Sequence, residues 1–351
     1  MAILRFILLP FSFLYGCLSW VRNKFFDWGI LPSKAFNLPI ISVGNLSVGG
    51  TGKTPHVEYL IRLLKKENKL AVLSRGYKRK SKGFVMADEN CGISELGDEA
   101  FQLTKFDDIL VAVDEKRVHG IKMLTQRNKN LDAIILDDAF QHRYVKPGLS
   151  ILLTDYYNIY KNDFMLPSGN LREFTTGAKR ADIILVTKSP KIISPITRRN
   201  ILKMIKPKDY QQLFFSRIKH GNFSPIPGVD FIPAKESKIS FILLFSGIAN
   251  TYPLEEYLKG KCKRLEIFSF PDHHQFTISD LEKLEKKFND IFAKKKIIVT
   301  TEKDVMRLQF PELREKINHL PICYVPIEVA INKKDREKFN QIILNYVEAN
   351  K

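Results

Sequence analysis

The segment with the clearest chemical pattern is a glycine-rich loop that leads into a helix-like stretch. It reads Gly44-Asn-Leu-Ser-Val-Gly-Gly-Thr-Gly-Lys-Thr54. From Ser47 onwards it fits the phosphate-binding pattern G-x-x-x-x-G-K-[ST], except that Ser47 replaces the first glycine. Backbone N–H groups and the positive end of a helix dipole bind phosphate oxygens in such a loop. We therefore predict a nucleotide site in which Lys53 reaches the β- and γ-phosphates and Thr54 binds Mg²⁺. Its predicted members are Ser47, Val48, Gly49, Gly50, Thr51, Gly52, Lys53 and Thr54.

A second segment predicts a metal-binding carboxylate. The apolar run Leu131–Leu136 ends in Asp137 and Asp138. A buried strand that ends in acid, downstream of a phosphate loop, is typical of the group that holds the magnesium of a nucleotide. The guanine-reading pattern N-K-x-D is missing, because residues 187–190 read Thr-Lys-Ser-Pro and the lysine of residues 301–304, Thr-Glu-Lys-Asp, is displaced by one. The sequence therefore favours ATP over GTP.

Two short acidic or histidine-containing segments could supply proton transfer. Gly97-Asp98-Glu99 precedes a helix-like stretch, and Asp272-His273-His274 follows a strand-like run. An aspartate and a histidine brought together could accept the proton of an acceptor hydroxyl. Asp98 could equally cap the helix, and the two histidines could bind a metal, although no third ligand has a suitable spacing. Spacing alone leaves these alternatives open.

The N-terminus is apolar and uncharged from Phe6 to Val21. This run is shorter than the roughly 20 residues of a spanning helix, and Pro10 interrupts it. Both tryptophans of the chain, Trp20 and Trp28, follow at its edge, where tryptophan prefers the headgroup level. We interpret residues 1–28 as a helix that lies in a membrane surface. A plain core helix, a cleaved signal peptide and a lipoprotein-like cleavage box remain open alternatives.

Composition points to an anionic partner. The 351 residues include 56 Lys and Arg against 38 Asp and Glu, a formal charge of +18. Anionic lipid, phosphorylated metabolites and nucleic acid all fit that charge. An apolar share of 44% and a charged share of 27% exclude a disordered chain and a polytopic membrane protein. The four cysteines are far apart, which predicts reduced thiols rather than a zinc site or disulfides.

Apolar runs alternate with helix-like stretches in two successive series. This alternation predicts an α/β fold, with a doubly wound parallel-sheet domain of the P-loop type and a second, smaller α/β lobe. We place the N-terminal helix at 1–28, the P-loop domain with a proline-rich connector at 29–235, and the C-terminal lobe at 236–351. In that lobe we predict a helix from Ser279 to Phe292 with a Ser279/Glu282 capping box, and a closing helix over Lys334–Val347. The default site is a cleft between the lobes.

Eight short motifs, taken in order along the chain, resemble the tetraacyldisaccharide 4'-kinase family. They lie at residues 44–55, 74–77, 97–99, 137–142, 166–173, 187–188, 245–249 and 272–274, so the resemblance covers nearly the whole chain. It implies ATP and Mg²⁺ as cofactors and transfer of the γ-phosphoryl group to the 4'-hydroxyl of tetraacyldisaccharide 1-phosphate, in the lipid A biosynthesis of Gram-negative bacteria. Where many members have glycine after the acidic pair, this chain has Ala139.

The resemblance also implies roles for individual residues. Asp98 matches the base that accepts the hydroxyl proton, paired with His273 across the cleft. Besides Thr54, the acidic set around magnesium is Glu99, Asp137, Asp138 and Glu173. The substrate-facing polar set is Asn45, Arg75, Tyr77, Arg117, Gln141, His142 and Arg172.

The partners that follow are the acylated disaccharide 1-phosphate and an anionic membrane surface, with no nucleic acid and no obligate protein partner. Because ATP is cytosolic and the acceptor is a lipid, we expect the enzyme at the cytoplasmic face of the inner membrane. The alternative is a membrane-associated P-loop switch or assembly ATPase that acts on a protein partner. Such a protein would hydrolyse ATP without a lipid acceptor. A basic nucleic-acid ATPase is a third possibility, but the sequence contains no RNA-binding motif.

Overall fold

The computed structural model describes residues 2–231, 239–248, 250–272 and 274–351. The chain divides into two compact units. The first unit is Met1–Ile218 together with Val329–Lys351, and the second unit is Lys219–Glu328.

The helices and strands alternate along most of the chain. The helices are α1 (Ala2–Asp27), α2 (Lys53–Leu64), α3 (Ile93–Leu96), α4 (Asp98–Leu103), α5 (Arg117–Arg127), α6 (Pro195–Ile205), α7 (Tyr252–Lys259), α8 (Ile278–Asn289), α9 (Glu302–Arg307), α10 (Pro311–Ile317) and α11 (Lys333–Glu348). The strands are β1 (Ile40–Asn45), β2 (Leu70–Ser74), β3 (Val85–Met86), β4 (Ile109–Val113), β5 (Ala133–Asp137), β6 (Leu149–Asp155), β7 (Ile183–Thr187), β8 (Gln212–His220), β9 (Ser224–Pro225), β10 (Ile239–Ser246), β11 (Cys262–Ser269), β12 (Lys296–Thr301), β13 (Ile322–Val325) and β14 (Ile327–Ile331).

The first unit is built on a nine-stranded sheet in the order β14-β8-β7-β6-β1-β5-β2-β4-β3. From β8 to β4 every neighbouring pair is parallel, and β3 runs antiparallel to its neighbour β4. Strands β1, β2, β5 and β7 are buried at every residue, as expected for a parallel sheet covered on both faces. This confirms the predicted α/β fold. Because β1 and β5 are parallel neighbours, the phosphate loop and the acidic pair both follow the same edge of the sheet.

The segment predicted as a connector is structured and extends the first sheet. It contains α6 and β8, and Ser194 caps α6 by accepting a hydrogen bond from the N–H of Thr197 at 3.0 Å. The prolines of this segment suggested a connector without regular structure. Pro195, however, occupies the first turn of α6, where a missing N–H costs no hydrogen bond.

The closing helix also differs from the prediction, because α11 belongs to the first unit. Its Phe339 is buried and makes edge-to-face contacts with Phe214 and Tyr59. The chain therefore enters the second unit after Ile218 and returns from it before Val329, rather than dividing once at 235/236.

The second unit has a five-stranded sheet in the order β11-β10-β12-β13-β9, parallel except for β9. Helix α8 lies where it was predicted, but its capping box is Thr277 with Asp280 rather than Ser279 with Glu282. The N–H of Thr277 donates to Asp280 at 3.0 Å and the N–H of Asp280 donates to Thr277 at 3.2 Å. The prediction was therefore two residues late, because a shorter aspartate also completes the reciprocal pattern.

Helix α1 continues through Pro10 and is 26 residues long. Within the described part of the chain, no helix has both the length and the apolar character that are needed to cross a membrane.

Candidate active site

The phosphate loop joins β1 to α2 and is held at Thr51 from two sides. The Thr51 hydroxyl accepts a hydrogen bond from Asn45 Nδ2 at 3.0 Å, and the Thr51 carbonyl accepts one from Thr187 Oγ1 at 2.9 Å. Gly52 follows in the left-handed conformation (φ 86°) and precedes the first residue of α2, Lys53. These contacts place the loop N–H groups at a helix N-terminus, the arrangement that binds phosphate.

His56 is a member of this site that the sequence did not single out. Its Nδ1 lies 2.6 Å from the Gly52 carbonyl and its Nε2 lies 2.8 Å from Ser216 Oγ. Burial lowers the pKa of His56 to about 4, so the ring is neutral. Because a carbonyl can only accept, Nδ1 donates to Gly52 and Nε2 accepts from Ser216. His56 therefore ties the end of the phosphate loop to β8.

We expect His56→Ala to weaken ATP binding about tenfold, which corresponds to the loss of roughly one well-placed buried hydrogen bond. His56→Asn retains a donor near the position of Nδ1, so its loss is expected to be smaller. Titration with a fluorescent ATP analogue, without lipid, measures the effect. Wild-type affinity in a folded His56→Ala variant would contradict this role.

Asp137 ends β5 beside the phosphate loop, with Val43 of β1 as its register partner. Burial, together with the negative charges of Glu99 and Asp138, raises the pKa of Asp137 to about 7. Among the described residues, its buried Oδ1 has no hydrogen-bond partner. A buried oxygen of this kind fits a hard cation such as Mg²⁺.

No group of three or more His, Cys, Asp or Glu residues in the described ranges forms a metal cage. Magnesium in nucleotide sites does not need one, because one or two carboxylates are completed by phosphate oxygens and water. The donors present fit a nucleotide-bound magnesium.

Asp138 connects the phosphate loop to the segment that contains Arg172. Its Oδ1 lies 3.7 Å from Lys53 Nζ and 3.2 Å from Arg172 Nη1. Although burial opposes ionisation, these two cations lower the pKa of Asp138. Its backbone is left-handed (φ 47°), a conformation that costs a non-glycine residue about 1 kcal/mol or more. The two acidic residues are thus distinct: Asp138 is paired with cations, whereas Asp137 has an unsatisfied oxygen.

Glu173, predicted as a magnesium ligand, is occupied by protein donors. Its Oε1 accepts from Arg180 at 2.8 Å and from Gln141 at 3.2 Å, and its Oε2 accepts from Arg180 at 2.9 Å and from Asn23 at 2.8 Å. The residue is 2% exposed. Both carboxylate oxygens are thus satisfied by protein donors and fix their neighbours, and the role of Glu173 as a magnesium ligand stays a prediction.

The predicted base, Asp98, is the first residue of α4 and is half-buried. The N-cap position of α4 is occupied by Gly97, so Asp98 is not the capping residue. Gly97 has φ 80°, and a Cβ there would lie 2.7 Å from the Tyr77 carbonyl. Only glycine allows this approach, which places the turn before Asp98 against the segment after β2. Arg75 and Tyr77 of that segment are exposed, as expected for residues that meet a substrate.

Two predicted substrate residues are more enclosed than expected. Arg117 is buried and donates to the carbonyls of Asp114 at 2.5 Å and Asp137 at 3.2 Å, and burial lowers its pKa to about 10. It therefore holds the ends of two strands in place. For His142, burial and the positive charges of Arg117 and Arg75 lower the pKa to about 4, so its ring is neutral.

Two segments that the sequence singled out lie in the second unit. His273 is outside the described residues, so its pairing with Asp98 stays a prediction. The neighbouring His274 bonds to Asp280 at 2.9 Å and stacks on Phe270, which gives it a partner other than a metal. Asp304 is fully buried and paired with Arg307 at 3.0 Å, so it is not placed to read a guanine base.

Comparison with known proteins identifies the family. The family model for LpxK, tetraacyldisaccharide-1-P 4'-kinase, matches residues 4–348. The chain is 48% identical over 352 residues to the tetraacyldisaccharide 4'-kinase of Flavobacterium johnsoniae, which covers 100% of this chain and 99% of that protein. It is 47% identical over 348 residues to the protein of the same name from Phocaeicola vulgatus, across 98% and 95% of the two chains.

A solved structure gives the same result. LpxK from Aquifex aeolicus, crystallised in complex with ATP, is similar with a TM-score of 0.71 and 30% identity, over 98% of this chain and 99% of that one. With a phosphate loop, an adjacent acidic pair and a family match over nearly its full length, the chain belongs to the tetraacyldisaccharide-1-P 4'-kinase family.

Proposed function

We propose that the site in the first unit transfers the γ-phosphoryl group of ATP to the 4'-hydroxyl of tetraacyldisaccharide 1-phosphate. The observation that carries this proposal is the linked set Lys53–Asp138–Arg172 beside Asp137, whose buried oxygen is unsatisfied. Such a set can position a nucleotide triphosphate and neutralise the charge that develops on the transferred group.

We assign each residue a role in this reaction. The loop N–H groups and Lys53 bind the β- and γ-phosphates, while Thr54 and Asp137 would hold Mg²⁺, which supplies positive charge to the phosphate oxygens. Asp98 accepts the proton as the 4'-oxygen forms its bond to the γ-phosphorus. The bond from that phosphorus to the bridging oxygen breaks, and ADP leaves with the electron pair. Arg172, held by Asp138, stabilises the transferring group.

We further propose that α1 brings the enzyme to the cytoplasmic face of the inner membrane. Away from its buried residues, α1 exposes large apolar side chains around much of its circumference, namely Ile7, Phe11, Phe13, Leu14, Leu18, Trp20 and Val21. Trp28 follows the helix and is 65% exposed. Withdrawing an acyl chain from a bilayer costs about 0.8 kcal/mol per CH₂, so a lipid acceptor favours an enzyme that comes to the surface.

We expect the double substitution Phe13→Ser and Leu18→Ser to weaken binding to vesicles of anionic phospholipid at least tenfold, because each apolar side chain contributes roughly 1.5–3 kcal/mol when buried. Co-sedimentation with vesicles measures the change. Ile192→Ser is the matched control, because Ile192 is 84% exposed but lies outside α1. Equal binding of the double variant and the wild type would exclude these exposed apolar side chains of α1 as the membrane contact.

The test of the function is direct. The full-length protein in mild detergent is incubated with γ-labelled ATP, Mg²⁺ and tetraacyldisaccharide 1-phosphate, and label is followed into the lipid. Label in the lipid supports the proposal. Release of phosphate without labelled lipid would instead favour the alternative of a membrane-associated switch or assembly ATPase.

A further inference from the structure

Helix α1 has a second face, which consists of small and polar residues. Ser12, Gly16, Ser19 and Asn23 are spaced by four, three and four positions, so they lie along one side of the helix. Ser12 is 4% exposed. A Cβ on Gly16 would lie 2.7 Å from the ring of Phe174, so the helix backbone packs closely against the segment around that residue. We call these four residues the inner face of α1.

The inner face binds the segment Leu166–Glu173. The hydroxyl of Ser12 donates to Ser168 Oγ at 2.8 Å and accepts from the Ser168 N–H at 2.9 Å. Asn23 Nδ2 donates to Glu173 Oε2 at 2.8 Å. These contacts fasten both ends of the segment to the helix.

The same segment lies along the phosphate loop. The N–H of Arg172 donates to the Leu46 carbonyl, and the N–H of Val48 donates to the Asn170 carbonyl, each at 2.8 Å. The segment Leu166–Glu173 is therefore held between α1 on one side and the nucleotide loop on the other.

Side chains continue this connection to the reacting groups. Glu173 accepts from Gln141 Nε2, which also donates to the Asn45 carbonyl at 2.7 Å. Gln141 Oε1 accepts from Arg172 at 3.3 Å, and Arg172 bonds to Asp138. A continuous set of hydrogen bonds thus runs from Asn23 on the membrane-facing helix to the carboxylate beside Lys53.

We propose that α1 is part of the active site as well as a membrane contact, and that Asn23 is a positioning residue for phosphoryl transfer. This inference rests on the proposed function. Asn23 fixes the buried Glu173 carboxylate, which fixes Gln141, and Gln141 in turn orients Arg172. Without the Asn23 donor, we expect Glu173 Oε2 to move towards Arg180, its other donor, and the side chains that follow to shift. A misplacement of about 1 Å can cost about 10²-fold in rate.

The experiment distinguishes the positioning role of Asn23 from the membrane contact of α1. Full-length Asn23→Ala, the double variant Phe13→Ser with Leu18→Ser, and Lys24→Ala as the neighbouring control are compared in detergent and with vesicles. For Asn23→Ala we expect kcat for lipid labelling to fall about tenfold or more in detergent, with vesicle binding and the KM for ATP unchanged. For the double variant Phe13→Ser with Leu18→Ser we expect lost vesicle binding but wild-type kcat in detergent. Lys24→Ala should match the wild type in kcat.

A double-mutant cycle tests the route through Glu173. If Asn23 acts by fixing that carboxylate, Asn23→Ala adds little to the loss already caused by Glu173→Gln. If Asn23 instead acted independently of Glu173, the losses of activity in Asn23→Ala and Glu173→Gln would add in the double variant. Where Asn23→Ala lowers the thermal unfolding midpoint, Asn23→Ser, which restores a hydroxyl donor, is expected to recover part of the activity.

Three results would overturn the inference. The first is wild-type kcat in a folded Asn23→Ala variant. The second is a loss of activity that accompanies a loss of vesicle binding and disappears in detergent. The third is additivity with Glu173→Gln. A wild-type protein that labels no lipid contradicts the proposed function itself, and this inference with it.

Discussion

Replacing Lys53 with alanine is expected to lower the rate of phosphoryl transfer by at least about 10³-fold, because a cation that binds the transferring group supplies stabilisation of that size. Lys53 begins α2, its side chain is 16% exposed, and its Nζ lies 3.7 Å from Asp138. The ammonium group is thus fixed at the end of the phosphate loop. Label transfer from γ-labelled ATP to the lipid measures the loss.

The fold is expected to survive this change. Asp138 retains its ion pair with Arg172 at 3.2 Å, so no buried charge is left without a partner. Lys65→Ala is the matched control, because Lys65 follows the same helix and makes an ion pair with the exposed Asp108. Such a surface pair contributes less than about 1 kcal/mol. Full transfer by a folded Lys53→Ala variant would remove the phosphate loop from the mechanism.

The parts of the site that consist of one continuous stretch of chain could be predicted from the local sequence pattern. The phosphate loop needs only a strand, a glycine-rich turn and a helix in succession, and β1, the loop and α2 follow in that order. The acidic pair was likewise evident from a continuous apolar run that ends in Asp137. Both predictions depend on residues that are adjacent in sequence, where hydrophobic periodicity is most informative.

Contacts between distant parts of the chain could not be predicted in this way. Asn23 and Glu173 are 150 residues apart, and His56 and Ser216 are 160 apart. The sequence shows an acidic residue at 173 but not the donors Asn23, Gln141 and Arg180 that surround its carboxylate. The burial of Arg117 has the same origin, because only the packed sheet encloses it.

The sequence also could not predict to which unit helix α11 belongs. Helix α11 has an amphipathic pattern that fits either unit, and its place in the first unit depends on Phe214 and Tyr59, which lie far earlier in the chain. A periodic pattern identifies the buried side of a helix but not the surface that covers it. For this reason the type of each element was predicted better than the unit to which it belongs.

Asp98→Asn is expected to lower kcat for lipid labelling by about 10²–10⁴-fold, the usual contribution of a positioned general base. The substitution keeps the size of the side chain and removes its ability to accept a proton. Asp98 is half-buried at the start of α4, and Gly97 places the preceding turn against the Tyr77 carbonyl. The KM for ATP is expected to stay at the wild-type value, because Asp98 is assigned to the acceptor hydroxyl and not to the nucleotide.

Asp107→Asn is the matched control, since Asp107 is an exposed residue just beyond the same helix. It should leave both kcat and KM unchanged. A fall in the unfolding midpoint of Asp98→Asn with a modest change in kcat would show that Asp98 stabilises the start of α4 instead. If Asp98→Asn labels lipid at the wild-type rate, the proton is accepted elsewhere, and the other carboxylate of the same turn, Glu99, becomes the residue to replace next.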